Sequence, residues 1–151
     1  MADWALNLDD AVVSVDENMR RTSQPSIIVT GNHEDFSPAW SPDGKWIAFH
    51  SHRAAKPVPE YSASGSADDI WLRRADDIKA PEMRLTDFGW ETGPAYWSPD
   101  GQKLMFESWE RGGKPGVGKI YVLTMNTKAE AVIKTEMLPL GPEIKSAKWS
   151  A

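Results

Sequence analysis

The sequence contains no cysteine. Disulfides and thiolate metal sites are therefore excluded, although no compartment follows from this. It also lacks any run of about 18 apolar residues, the length that a membrane-spanning helix needs. The opening MADWALNLDD has neither a basic segment nor an apolar one, so as written it does not read as an export signal. Basic charge is not in excess: 17 Lys and Arg face 22 Asp and Glu, for a net charge of −5. Binding along a phosphate backbone calls for a basic surface. Neither nucleic acid nor membrane insertion is therefore expected.

What remains describes one ordinary domain of 151 residues, 40% hydrophobic and 26% charged, a globular composition and not a disordered one. Eight tryptophans, 11 glycines and 11 prolines suggest short strands, tight turns and aromatic-filled layers. Sustained helical periodicity is absent. Thr127 to Met137, rich in Ala, Glu and Lys, invites a helical reading, but its place in the repeat described next predicts a strand with a flanking turn.

The chain repeats itself. Phe36 to His52 reads FSPAWSPDGKWIAFHSH, and Gly93 to Trp109 reads GPAYWSPDGQKLMFESW; a third copy begins at Gly141, GPEIKSAKWSA. The tryptophan before each serine stands at 40, 97 and 149, spaced 57 and 52 residues apart. Between the copies, Asp69-Ile70-Trp71-Leu72-Arg73 matches Lys119-Ile120-Tyr121-Val122-Leu123, with Asp3-Trp4-Ala5-Leu6 a weaker third instance. Two elements recurring in fixed order define a supersecondary unit of several strands.

Ser-Pro-Asp-Gly between β-rich runs is a turn with a mechanism. Pro42 pre-sets the backbone, Asp43 tolerates the second turn position and Gly44 supplies a positive φ. A type I turn closed by a glycine bulge follows. The arm after it, Lys45 to His50, is apolar on both alternating faces, as a strand between two layers must be. Lys103 to Phe106 repeats this pattern. The next strand is Ile70 to Arg73 or Ile120 to Thr124, and an outer strand lies near Met83–Thr86 or Val132–Leu138. Four antiparallel strands per repeat make an all-β propeller blade. The long stretches Arg53–Asp68 and Glu110–Gly118, rich in Gly, Pro and Ser, read as exposed insertions.

WSPDGKWIAF and WSPDGQKLMF, each followed by a DIW- or KIY-type strand, resemble the Pro-Asp repeats of TolB-like β-propellers, a WD-repeat-like family. The resemblance covers almost the whole chain, residues 1–151, as a single partial propeller with hairpins at 36–52, 93–109 and 141–151. It implies the fold, and it points to three settings: TolB-type periplasmic proteins, non-catalytic domains of prolyl-oligopeptidase-like enzymes, and some polysaccharide lyases. About three blades fall short of the four to eight that usually close a ring. Two expectations follow: a fragment of a longer propeller, or chains that associate, as a homodimer would, to cover apolar blade ends.

In such a ring the loops entering the innermost strand and those leaving the second strand share one face. That face gathers His33, Glu34, Asp35, His50, His52, Arg53, Trp90, Glu91, Trp109, Glu110 and Arg111, with the Ser-Pro-Asp-Gly turns on the opposite face. Asp43 and Asp100 are read as turn formers. His50 and His52 lie on one side of a strand, and with His33, Glu34 or Asp35 their imidazoles have the chemistry of a divalent-metal site. The lyase relatives implied by the resemblance use histidine-rich metal sites. Against a metal, Glu107-Ser108-Trp109 stands in the second repeat where His50-Ser51-His52 stands in the first, and polar rim residues are the plainer reading. No cofactor is expected.

Trp90, Trp109 and Tyr61, in or beside loops, suit stacking on a sugar or a peptide, or capping the layer between blades. Arg53, Arg73, Arg74 and Arg111 suggest salt bridges with Asp68, Asp69 and Asp76. No G-x-S-x-G elbow occurs, and Arg111-Gly112-Gly113-Lys114 lacks the GK[ST] ending of a phosphate loop. The sequence thus predicts a non-enzymatic binding or scaffold module that recognises a protein or peptide through its loop-rich face. The alternative is the propeller portion of a larger prolyl-oligopeptidase-like hydrolase or of a metal-dependent polysaccharide lyase. Residence in the periplasm follows only from the resemblance.

Overall fold

The computed structural model describes residues 11–12, 16–18, 20–23, 26–27, 35–53, 68–77, 79–89, 91–109, 118–126, 130–139 and 147–150. Among these residues every regular element is a strand, and the chain is all-β. A small antiparallel pair, β1 (Ala11–Val12) and β2 (Ser26–Ile27), comes first. The first repeat is a four-stranded antiparallel sheet in sequence order: β3 (Asp35–Trp40), β4 (Trp46–Ser51), β5 (Asp69–Arg74) and β6 (Met83–Arg84). The second repeat is a sheet of five strands. Its innermost strand is broken into β7 (Glu91–Thr92) and β8 (Tyr96–Trp97), both paired with β9 (Lys103–Trp109). Then follow β10 (Lys119–Met125) and β11 (Val132–Met137). Four- and five-stranded antiparallel sheets of this order are consistent with propeller blades. Of the segment expected to be a strand with a flanking turn, residues 130–137 are described, and Val132–Met137 form β11 as predicted.

The break between β7 and β8 has a counterpart in β3, whose register shifts between Phe36 and Ala39. There Ser37 adopts a positive φ of 54°, and the following Pro38 has no N–H for the ladder. Both hairpins close as the sequence predicts. Gly44 and Gly101 have φ of 70° and 68°, and each donates its N–H to the serine carbonyl three residues back, at 2.9 Å. The aspartate beside each glycine accepts from the serine hydroxyl at 2.6 Å, in Asp43–Ser41 as in Asp100–Ser98. The same carboxylate oxygen takes a backbone N–H, from Lys45 at 3.1 Å or Gln102 at 3.0 Å. These bonds to the ionised form hold both carboxyls below the usual aspartate range.

Alternation along the central strands divides the apolar side chains between two faces. Trp46, Ala48, Ile70 and Leu72 of the first sheet meet Ala95, Trp97, Leu104, Phe106, Tyr121, Leu123 and Met125 of the second in the main core. The opposite face of the first sheet carries Ile47 and Phe49, both fully buried, with Trp71 and Ala75. On the opposite face of the second sheet, Met105, Ile120 and Val122 pack against Leu138, Ala147 and Trp149. The Ala147–Ser150 segment, part of the third copy, thus lies over the second sheet as the second lies over the first.

Candidate functional site

His50 and His52 sit at the end of β4, and Asp68 immediately precedes the partner strand β5. The register places Ser51 opposite Asp69, so Asp68 lies beyond the paired residues, next to both imidazoles. His52 Nε2 contacts Asp68 Oδ1, and His50 Nδ1 stands 3.6 Å from Oδ2. All three side chains are largely buried. The ring of Phe36 packs on both imidazoles, with centroids at 5.2 Å from His50 and 5.6 Å from His52. Glu91, on β7 of the second sheet, faces this group across the seam. Burial pushes its carboxyl above the usual glutamate range, and the negative charge of Asp68 adds to that; His52 and then His50 oppose it. Two histidines and an aspartate of the first sheet thus meet, within electrostatic reach of a glutamate of the second.

Asp35 and Arg53 belong to a different arrangement. Arg53 Nη2 donates to both carboxylate oxygens of Asp35, at 2.8 and 2.9 Å, and its Nε donates to Ser51 Oγ at 3.1 Å. Its other terminal nitrogen pairs with Glu82, which also receives Arg73 at 3.2 Å. The guanidinium lies 5.1 Å from the ring centroids of both Phe49 and Trp71. With side-chain exposures of 10% and 0%, Arg53 and Asp35 are braced inside the first sheet and are not presented to solvent. The salt bridges expected from the sequence are redistributed accordingly. Arg74 does pair with Asp76, at 2.7 Å, but Asp69 holds Arg84 at 2.5 Å and Thr86 Oγ1 at 2.8 Å, and Asp68 takes the histidines. The adjacent carboxylates Asp68 and Asp69 diverge, as consecutive residues on a strand must.

Trp109 is the last residue of β9, and its ring lies over Gly93, where an added Cβ would come within 3.1 Å of it. His33, Glu34, Tyr61, Trp90, Glu110 and Arg111 lie outside the described residues. Among the described residues no group of three or more His, Asp or Glu side chains has the geometry to hold a metal ion. Of the ligands the metal expectation would join to His50 and His52, His33 and Glu34 lie outside those residues, and Asp35 is held by Arg53. The sequence points to Asp68 only as a salt-bridge partner; the register of β4 against β5 is what sets it beside His50 and His52.

A groove of about 700 Å³ opens on the opposite face, lined among others by Asp43, Lys45, Arg74, Asp76, Asp100 and Gln102. Within it Arg74 pairs with Asp76, and Asp43 and Asp100 bond within their own turns.

No protein-family model matches this chain, and no curated protein matches it. Among solved structures it is similar to the crystal structure of TolB from Acinetobacter baumannii, at 19% sequence identity and a TM-score of 0.36. The match covers 86% of this chain and 37% of that one, so the chain spans little more than a third of that protein's length.

Proposed function

We propose that the chain is a non-enzymatic binding or scaffold module that recognises a protein or peptide through the face on which β4 and β9 end. The observation that carries this reading is the cross-seam cluster of His50, His52, Asp68 and Glu91, with Trp109 at the end of the neighbouring strand. Charged and aromatic groups from two sheets converge there, on a frame braced from behind by Asp35, Arg53 and Glu82. A rigid frame lowers the ordering cost of recognition, and specificity then comes from the few groups at the rim.

Selection of a displayed peptide library against the full chain tests this. Selected peptides should lose about tenfold or more in affinity on His52→Ala or Trp109→Ala, consistent with loss of an aromatic or charged anchor, and should tolerate Asp76→Ala in the turn-face groove. Binders that ignore the first two substitutions and depend on the third would overturn the assignment of the face. Failure to select any binder would overturn the proposed function itself.

A further inference from the structure

The outermost strands of the two sheets are unlike. In the first sheet β6 is only Met83–Arg84, and Arg84 is tied to Asp69 and Asp87. In the second, β11 runs from Val132 to Met137, and among the described residues it pairs with β10 alone. Its other side is an open edge. Leu138 donates its N–H to the Ile120 carbonyl at 2.9 Å, and the register continues with Val122 opposite Glu136, Leu123 opposite Thr135 and Thr124 opposite Lys134. Hydrogen-bonded pairs alternate along an antiparallel ladder. Leu138, Glu136 and Lys134 therefore turn their backbone groups toward β10, and Met137 and Thr135 turn theirs outward. Ile133 stands where the register shifts. Ile133 and Met137 are large apolar side chains left 66% and 50% exposed, and Lys134 and Glu136 pair at 2.7 Å on one face of the strand.

An open edge is a template for another strand, and a lysine on it usually serves to repel one. Here the lysine comes with its complement. Laid antiparallel on a copy of itself about Thr135, the sequence VIKTEM sets Thr135 opposite Thr135, Lys134 opposite Glu136 and Ile133 opposite Met137. The outward backbone groups of the two Thr135 residues then meet as a hydrogen-bonded pair. Lys134 and Glu136 fall at the closer-spaced positions on either side of it, where opposite charges attract. We propose that β11 is a self-association edge: two copies of the chain join antiparallel through residues 133–137, making one sheet continuous across a two-fold axis. The order of charges selects both the occupant and the register. Sliding the copy by two residues either way, the smallest step that keeps the ladder, sets Glu136 against Glu136 or Lys134 against Lys134. A strand of another sequence meets the lysine without the acid that its own copy supplies. The contact lies along the outer rim of the second sheet, and it does not depend on what the loop face binds.

Sedimentation velocity of the full chain, from micromolar to millimolar concentration, reads the proposal directly. A reversible equilibrium between one chain and two is expected. Lys134→Glu sets acid against acid across the axis, and Glu136→Lys sets base against base. Each should weaken self-association about tenfold or more, since two facing pairs change sign in each case. Neither side chain belongs to the core, so far-UV circular dichroism should not change. Mixing the two variants makes every facing pair opposite in charge again, and the mixture should associate as strongly as the unmodified protein. Thr135→Pro removes the N–H at the axis, keeps the bonds to β10, and should abolish the two-chain species. A single chain at every concentration would overturn the proposal. So would an association that either charge reversal leaves unchanged, a mixture no stronger than its components, or a Thr135→Pro protein that still pairs.

Discussion

The two sheets share a chassis and differ at the end where their second strands finish. Both close on the same serine–aspartate–glycine turn and bury the same alternating apolar strand. Beyond that, the first sheet relies on polar contacts. Phe36 lies on His50 and His52, Asp68 takes both imidazoles, and Arg53 ties Asp35 to Glu82. In the second sheet Gly93 stands where Phe36 would, and the larger Trp109, in the place of His52, fills the space. Glu107 replaces His50; it accepts the backbone N–H of Gly118, which stands where Asp68 would, and burial pushes its carboxyl above the usual range. Thr92 pairs with Ser108 as Asp35 pairs with Ser51. Aromatic volume has moved from the inner strand to the second strand, and the carboxylate has moved from the position before the third strand onto the second. A propeller repeat thus keeps the hairpin and allows facing positions to exchange size and charge in pairs.

The sharpest way to break this comparison is at the buried ion pair. Arg53→Ala leaves Asp35 and Glu82 without their shared cation, and should destabilise the fold by about 3–5 kcal/mol in urea unfolding. The corresponding change at Thr92, to Val, removes a buried hydroxyl with no partner among the described residues and should be neutral or stabilising. If the two substitutions had similar costs, the first sheet would not depend on its polar brace.

Next in size are the glycines that make the exchange possible. Gly93→Ala pushes a methyl against the Trp109 ring, and Gly118→Ala overlaps the Glu107 side chain. Each should cost about 1–3 kcal/mol. Trp109→His should rescue the first and Glu107→Ala the second; absence of coupling in either double mutant would separate these positions.

Acid titration gives a smaller effect with opposite signs at the two ends of the blades. Glu91 and Glu107 bind protons more tightly folded than unfolded. Their contribution is therefore largest below the ordinary glutamate pKa of about 4.3, and is lost as pH rises through their elevated values. Glu91→Gln should flatten that decline and raise stability at neutral pH. The turn carboxylates Asp43 and Asp100 have depressed values. Their contribution is present above about pH 4 and is lost as pH falls further. Asp43→Ala and Asp100→Ala should both remove part of that acid limb. Because the two turns have the same bonds, their effects should be equal and the smallest of the series, as midpoints of unfolding measured at pH 3 and 7 would show.

Much of the architecture was legible because it rests on local chemistry. A proline, an aspartate and a glycine in fixed order dictate a turn whatever surrounds it, and a run apolar on both faces must lie between layers. The copies anchored at Trp40, Trp97 and Trp149 therefore announced the hairpins, the strand order and the turn roles of Asp43 and Asp100. The candidate site was only partly legible. Arg53 carries the same charge whether it faces a ligand or the interior, and only packing showed that Asp35, Ser51 and Glu82 enclose it. Trp109 lies against Gly93, and only the pairing of β7 with β9 shows that its ring fills that space.

Sequence alone determined the repeat, the all-β class and the turns, since these follow from backbone preferences and side-chain alternation over a few neighbouring residues. The tertiary structure alone decided which charges meet. Asp68 joins His50 and His52 across a long connection, Glu91 reaches the same cluster from the other sheet, and the Trp97 and Trp149 indoles bond to carbonyls more than 50 residues away. Such partners are chosen by how two sheets pack face to face, and no local pattern along the chain records that choice.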